Sequence, residues 1–250
     1  MTPRRAGVRH RLCISLVLSF AIAASPQEKP RAPRPHALTH LQSEAANGDA
    51  GAQLKLAHAL ERGTDSAEVD YVQAEYWYRK AANAGDPRAQ NDLAVFYVKG
   101  HGAQPDFHEA FRWYLRSAVS GYAVAQNNLG YMYSTGRGIP QDDGEAARWY
   151  RKAADQGLAP AQANLATLYR EGRGVPQNDE IAFKWLERSA RQGWPTAENQ
   201  LGIIYERGRG IASNLEQARA WYRRAANHGS EDAAHNLERL SATAIATAHP

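Results

Sequence analysis

The chain has little cysteine: Cys13 is the single one among 250 residues, and it lies close to the amino terminus. The rest of the chain therefore offers no thiol for a disulfide framework or for a cysteine-ligated metal site. An excess of positive charge is also missing from most of the chain. The four arginines of residues 1–24 account for the whole net charge of +4. This argues against nucleic acid as a partner, because a nucleic-acid surface needs clustered, unpaired Lys and Arg.

Sequence motifs of catalysis are absent as well. There is no G-x-S-x-G, S-x-x-K or H-E-x-x-H pattern, and His108-Glu109 is followed by Arg112 where a second metal-binding His would stand. The nine histidines share no ligand spacing. The G-x-G pairs follow no strand pattern, so they do not fit a dinucleotide-binding loop. We therefore expect no catalytic residue, no cofactor and no metal.

The apolar run near the amino terminus is short. Leu12–Ala24 covers 13 residues, whereas a membrane-spanning helix needs roughly 20. A basic stretch precedes this run and small residues end it, which is the pattern of a secretory signal peptide. We predict that residues 1–24 are a cleaved signal peptide and that the protein is exported, to the periplasm or the medium, with no membrane span after cleavage. An uncleaved N-terminal membrane anchor is the alternative. Residues 25–48 open with a Pro-rich segment and are predicted to be a disordered linker.

What the chain contains in abundance is a repeat. A Trp and a closing Gly each recur with a period of 36 residues, which indicates a repeat architecture. The recurring residues are Trp77, Trp113, Trp149, Trp185 and Trp221, and Gly85, Gly121, Gly157, Gly193 and Gly229.

Each copy contains two apolar stripes at helical spacing. In the third copy they are Ala125, Leu129 and Tyr133, and then Ala146, Trp149, Tyr150, Ala153 and Ala154. Between the stripes, Gly136 suits the left-handed residue that ends a helix, and Asp142 or Asp143 suits the cap that begins the next one. The sequence therefore predicts a helix hairpin per copy, with the five tryptophans as a structural core between successive hairpins. The array is predicted over 49–241, with a capping helix near 230–242 and a C-terminal tail at 242–250.

The full pattern is A-x-x-x-L-(G/A)-x-x-Y-x-x-G-x-G-(V/I)-x-x-(D/N)-x-x-x-A-x-x-W-Y-x-(K/R)-A-A-x-x-G. It resembles the Sel-one-like repeat, a relative of the tetratricopeptide repeat. The resemblance implies an all-α fold, a right-handed α-solenoid of about 11 helices, made of five antiparallel hairpins and the capping helix. The first copy departs from the pattern, because Gly63-Thr64-Asp65 lacks the second Gly and Leu60 replaces Tyr. We expect a longer, looser turn there.

The first helices of such arrays usually line an inner surface. Asn at adjacent inner positions can hydrogen-bond an extended peptide, as tetratricopeptide grooves do. On this resemblance the peptide-binding candidates are Asn91, Asn127, Asn199, Tyr131 and Arg170. The alternatives are a plain solvated helix surface, or Asn side chains that bond within their own array.

The resemblance implies a non-enzymatic adaptor or scaffold for an unidentified protein or peptide. One alternative is a β-lactamase-like or penicillin-binding hydrolase, as described for cysteine-rich relatives, although their paired cysteines and any acyl-transfer motif are missing here. A secreted host-interaction or regulatory factor is another alternative, and it differs only in partner and place.

Overall fold

A computed structural model describes residues 35–64, 66–101 and 103–248, and in that part of the chain every regular element is an α-helix. The helices are α1 (Pro35–Ala46), α2 (Ala50–Arg62), α3 (Tyr71–Asn83), α4 (Pro87–Lys99), α5 (Phe107–Val119), α6 (Ala123–Thr135), α7 (Asp143–Asp155), α8 (Ala159–Glu171), α9 (Asp179–Arg191), α10 (Pro195–Arg207), α11 (Leu215–Asn227) and α12 (Glu231–Ala248). The predicted signal peptide, residues 25–34 of the predicted linker and the last two residues of the tail lie outside the described residues. None of the described helices has the length and apolarity that a membrane span requires.

The helices begin and end where local chemistry dictates. The Oδ1 atom of Asp142 accepts a hydrogen bond from the Glu145 backbone N–H at 2.9 Å and so caps α7. Gly136 ends α6 at φ +69°, a left-handed conformation in which a side chain would be strained. Equivalent caps recur along the chain, and ten consecutive helices, α2 to α11, have 13 residues each.

Each helix packs against the next one along the chain, which produces an all-α solenoid and confirms the predicted fold class. Alanines at the helix crossings and one Leu per first helix are fully buried, as at Ala125 and Leu129. The tryptophans of the three middle units are buried and those of the first and last units are half-buried. A Lys or Arg three residues further on covers the outer face of four of the five indoles, as Lys152 covers Trp149 at 4.1 Å.

The helices at both ends extend further than the sequence analysis expected. Residues 35–46, assigned above to a linker, form α1, and the helix count of the described residues is therefore twelve instead of eleven. Leu38, Leu41 and Ala45 lie on one face of α1 and pack against α2. The Gln53 side chain donates to the Ala45 carbonyl at 3.1 Å, so α1 takes the place of a second helix before the first unit. At the other end α12 continues to Ala248, through most of the segment assigned to a tail.

The G-x-G pairs do more than stop a helix. Gly138, the second Gly of its pair, lies against the start of α5 at φ +73°, and a Cβ there would come within 2.6 Å of the Phe107 Cβ. The residue between the two glycines of a pair can also contact the start of the second helix of the preceding unit, as Arg173 shows. Arg173 donates two hydrogen bonds to the Asp143 carboxylate, at 2.7 and 3.1 Å. Gly174 and Gly210 likewise lie against Asp143 and Asp179, so the loops of the third, fourth and fifth hairpins are docked onto the unit before them.

Candidate functional site

The predicted groove residues lie on the first helices of successive units, where asparagines form a hydrogen-bonded ladder between units. In each rung the Nδ2 group of one Asn donates to the Oδ1 atom of an Asn 37 residues earlier. We call these three rungs the asparagine ladder. They are Asn128 to Asn91 at 3.1 Å, Asn164 to Asn127 at 3.0 Å, and Asn236 to Asn199 at 3.1 Å. The amide oxygens of all three predicted Asn residues are therefore engaged inside the array.

The other two candidates lie beside the ladder. Arg170 donates to the Gln200 side-chain oxygen at 3.4 Å. Gln200 stands at the donor position of a rung whose acceptor position holds Ala163, so the ladder has no Asn–Asn hydrogen bond there. Tyr131 lies under the Arg137 guanidinium, 5.6 Å from the ring centroid. Among the described residues no hydrogen bond joins one candidate to another, so the candidates lie along a stretch of surface without forming one cluster. Their role in peptide binding stays a prediction.

A different surface stands out at the start of the array. A groove of about 870 Å³ opens between α1, the loop that joins α2 to α3, and the end of α4 with the loop that follows it. We call it the N-terminal groove. Its volume is within the range of ligand sites. The walls are anchored, because the Asp70 backbone N–H donates to the Leu60 carbonyl at 2.9 Å and the Asp106 N–H donates to the Tyr97 carbonyl at 3.0 Å.

The rim of this groove is apolar and exposed. Among the described residues six large hydrophobic side chains are exposed, and four of them lie within residues 69–76: Val69 (52%), Tyr71 (37%), Val72 (78%) and Tyr76 (48%). Val69, Tyr71 and Val72 line the groove itself. Single exposed apolar residues need no explanation, but a cluster beside a concave surface is typical of an interaction site.

His101 forms part of the groove wall and is held between two aromatic rings. Its ring centroid lies 4.6 Å from that of Tyr71 and 4.7 Å from that of Phe96. Its Nε2 atom lies 2.9 Å from the Glu61 carboxylate, which is almost fully buried. Burial lowers the pKa of His101 below its ordinary value, although the nearby Glu61 carboxylate opposes this shift.

Glu61 connects the first two units beneath the groove. The Lys99 ammonium donates to its carboxylate at 2.7 Å, and the Tyr78 hydroxyl donates to the other oxygen. Burial alone would raise the pKa of Glu61, but these two hydrogen bonds hold it below the ordinary value. Burial and the adjacent Glu61 carboxylate raise the pKa of Tyr78, so this hydroxyl remains a donor.

Negative charge dominates around the groove. Of the described residues that line it, Glu68, Asp70, Glu75 and Asp106 carry carboxylates, and none is Lys or Arg. Two of these carboxylates also cap helices, and Glu75 accepts from the Tyr97 hydroxyl at 2.6 Å and from Arg79 Nε at 2.9 Å. Residues 35–110 contain eleven Asp and Glu against six Lys and Arg, whereas residues 111–248 contain fourteen against seventeen. The groove therefore lies in the acidic part of the solenoid.

The last unit contains a buried cluster that replaces a repeated hydrogen bond. In four units a buried Gln donates to a carbonyl of the preceding helix, at 3.1 to 3.2 Å. The fifth unit has Glu198 instead, with no exposed surface. His228 Nδ1 lies 2.8 Å from its carboxylate, Arg224 Nε lies 2.6 Å from it, and Arg224 Nη2 donates to the Ala190 carbonyl in place of the Gln.

Sequence reasoning did not identify the N-terminal groove. The available signal was the irregular first copy, for which only a looser turn was predicted. Eight residues separate α2 from α3, whereas seven separate the helices of every other hairpin. The extra length and the apolar Val69, Tyr71 and Val72 are visible in the sequence, but their position beside α1 and the loop after α4 is not. In the described residues, no three His, Cys, Asp or Glu side chains are grouped so as to hold a metal ion.

Comparison with known proteins agrees with the geometry. The family model of the Sel1 repeat matches five consecutive segments, residues 50–86, 87–122, 123–158, 159–194 and 195–230. No curated protein sequence matches the chain significantly.

Several solved structures are similar. The protective antigen c5321 of uropathogenic Escherichia coli, described as displaying an SLR fold, is 36% identical with a TM-score of 0.76, over 81% of this chain and 43% of that one. This chain thus spans less than half the length of that antigen. A Sel1 repeat protein of Oxalobacter formigenes is 31% identical with a TM-score of 0.75, over 81% and 80% of the two chains. The immunity protein PA5088 of Pseudomonas aeruginosa is 26% identical with a TM-score of 0.51, over 74% and 67%.

Proposed function

Because this chain belongs to the Sel1 repeat family, we propose that it is an exported, non-enzymatic adaptor that binds a protein or peptide partner. Proteins of this family are typically scaffolds for protein–protein interaction. Repeat arrays bind through extended surfaces, which requires no catalytic cluster.

The observation that carries the proposal is the apolar rim of the N-terminal groove. Val69 and Val72 are more than half exposed although nearby apolar side chains of the same units are packed away. Exposed apolar surface of this kind is stabilised when a partner covers it, because burial removes it from water. The anchored loops around it give the partner a surface that needs little rearrangement, which limits the entropic cost of binding.

Export is proposed from the leader pattern of residues 1–24. The description of the Escherichia coli relative as a protective antigen supports this, since antibodies meet proteins outside the cytoplasm. Cell fractionation of a C-terminally tagged chain tests the proposal. We expect the tag in the envelope or the medium, on a species shortened by the leader. A full-length cytoplasmic species would contradict export.

Site-specific photo-crosslinking tests the adaptor role. A photoreactive amino acid is placed at Val72, on the groove rim, and in a matched variant at Val119, which is 71% exposed at the end of α5 and does not line the groove. We expect one discrete adduct from position 72 in the envelope fraction and none from position 119. A second test compares how much partner is recovered from the envelope fraction by the unaltered chain and by a triple variant, Asn91→Ala, Asn127→Ala and Asn199→Ala. Lower recovery by the variant would show that the asparagine ladder contributes to binding.

If neither position 72 nor position 119 forms an adduct, and the triple variant recovers as much partner as the unaltered chain, neither the N-terminal groove nor the asparagine ladder is the binding surface. The hydrolase alternative is tested separately with a chromogenic β-lactam on the purified chain. We expect no turnover above buffer, and turnover would overturn the non-enzymatic assignment.

A further inference from the structure

We propose that the N-terminal groove binds an extended, positively charged peptide segment whose apolar side chains seat on the rim formed by Val69, Tyr71 and Val72. This inference rests on the proposed adaptor function and names the chemistry of the partner. Apolar contact and charge complementarity point to the same class of ligand, and each comes from a different set of residues.

The shape of the groove favours a short extended segment. The groove is lined by two loop segments, residues 66–70 and residues 103–106, and by Phe96 and His101. An extended chain presents alternate side chains to opposite sides. One set of side chains can therefore cover the exposed valines while the other set faces the carboxylates.

The charge of the groove selects the sign of the ligand. Glu68 is exposed on the rim, and Asp70, Glu75 and Asp106 lie along the walls, with no lysine or arginine among the described lining residues. A Lys or Arg side chain of the ligand would find carboxylates on either wall, and the face of Tyr71 offers a further site for a cation. An acidic peptide, a nucleic acid or an anionic membrane surface would be repelled by the same groups.

A second copy of this chain is the strongest competing occupant. Its residues 111–248 carry more Lys and Arg than Asp and Glu, so copies could associate through opposite charge. The excess there is small, seventeen against fourteen, and it is spread over several helices. A flexible cationic peptide can concentrate its charges inside the groove, whereas the charges of a folded solenoid are fixed on its surface. We therefore assign the groove to a peptide and make self-association an outcome of the test.

The experiment selects ligands from a displayed library of random ten-residue peptides, using the whole chain as bait. We expect the selected pool to be enriched in Lys, Arg and large apolar residues and depleted in Asp and Glu relative to the input. The tightest selected peptide is then labelled, and its affinity is measured by fluorescence anisotropy. Affinity should fall as salt rises, because part of the attraction is between partly exposed charges.

Two variant pairs locate the binding. Val72→Ser removes rim apolar surface, and Val119→Ser makes the same change at a comparably exposed site outside the groove. Glu68→Lys reverses a rim charge, and Asp155→Lys reverses an exposed charge at the end of α7. We expect each groove variant to weaken the labelled peptide by about two- to tenfold, the range that one exposed apolar or ionic contact supplies. The controls should change it by less than twofold.

Several results would overturn the inference. They are a selected pool without cationic enrichment, an equal loss in groove and control variants, and sedimentation showing a dimer that Val72→Ser dissociates. If crosslinking in the envelope captures a partner elsewhere on the solenoid, the adaptor function stands and this inference alone fails. If peptides bind the groove but no partner is captured in cells, the chemistry stands and the adaptor function fails.

Discussion

The buried charge cluster of the last unit permits a sharp test of what holds neighbouring repeats together. Four units use a Gln to bond the carbonyl of the preceding helix, and the fifth uses Glu198 with Arg224 and His228. We predict that Glu198→Gln leaves stability nearly unchanged, whereas Glu198→Ala destabilises the protein. The Gln of the variant can donate to the Ala190 carbonyl as its counterparts do, and Arg224 is then free to lie over Trp221, where it is already 5.3 Å from the ring.

The magnitudes follow from burial and exposure. Glu198 has no exposed surface, so burying its carboxylate carries a desolvation cost of several kcal/mol that its contacts with Arg224 and His228 must offset. The Arg224 and His228 side chains are each 43% exposed, so solvent weakens their attraction for the carboxylate. These two effects oppose each other, and we expect Glu198→Gln to change the free energy of unfolding by less than about 1 kcal/mol. Glu198→Ala removes the contacts and leaves a cavity, at a cost of about 1–3 kcal/mol.

Gln162→Ala is the matched control, because it removes the side chain at the same repeat position in a unit without the charges. Its side chain donates to the Ala154 carbonyl at 3.2 Å and accepts from Gln192 at 2.9 Å. Its cost should lie within about 1 kcal/mol of that of Glu198→Ala, since each neutral bond contributes roughly 0.5–1.5 kcal/mol. Thermal unfolding followed by circular dichroism measures these differences, with about 2–4 °C per kcal/mol for a chain of this size.

Hydrogen exchange of the α10 and α11 amides adds the local readout, because repeat arrays can unfold unit by unit. If Glu198→Gln proves as costly as Glu198→Ala, the ionised cluster itself holds the last hairpin. The reasoning from the repeated Gln would then be wrong.

Three further predictions concern other contacts. The folded-state pKa values of Glu61 and His101 both lie below their ordinary values, so each group stabilises the fold above its unfolded pKa and less as pH falls. In the unaltered protein the free energy of unfolding should therefore fall as pH drops below about 6.5, through His101, and again below about 4.5, through Glu61. His101→Asn should abolish the first decrease and keep the second, as measured by denaturant titrations at each pH. Gly138→Ala should lower the free energy of unfolding more than Gly157→Ala does, as measured by denaturant titration. Both changes place a side chain on a left-handed backbone, which costs about 1–2 kcal/mol. Only at Gly138 does the new Cβ also meet the start of α5, whereas nothing lies within 4 Å of it at Gly157. Asn127→Ala should destabilise by about 0.5–1.5 kcal/mol through its lost rung to α8, and a loss of partner affinity without that loss of stability would show that Asn127 contacts the ligand.

Much of the fold could be predicted because it depends on short-range chemistry that recurs. The 36-residue period, the cap at Asp142 and the helix-ending Gly136 are each visible within one copy of the repeat. Residues 35–46 were assigned wrongly to a linker because the segment has only three apolar side chains on its packed face and follows a Pro-rich stretch. Its stability comes from α2, against which Leu38 and Leu41 pack, and that tertiary contact leaves no local signal.

The asparagine ladder shows why site residues were harder to predict than helices. Asn recurs at two adjacent positions of the first helix, and the sequence cannot say which of these faces a ligand and which faces a neighbour. The rungs join residues 37 apart, one more than the period, because the donor of one unit lies beside the acceptor of the previous one. That offset is a property of how the helices stack. The alternative that Asn side chains bond within their own array holds for the Oδ1 atoms of Asn91, Asn127 and Asn199. Any contact of these three residues with a ligand would therefore be made by their Nδ2 groups.

Specificity for a partner should lie where the repeat is broken, because positions that obey the period are already used for packing. The first hairpin is the most irregular, and its longer loop places Tyr71 and Val72 on the groove rim. Replacing residues 63–70 with the seven residues of the fourth unit, 172–178, should therefore keep the hairpin folded, since that loop already joins two 13-residue helices. It should also abolish peptide binding by removing the 66–70 wall. Circular dichroism checks the fold and anisotropy checks the binding; a folded chimera that still binds the selected peptide would place recognition on the regular surface of the solenoid instead.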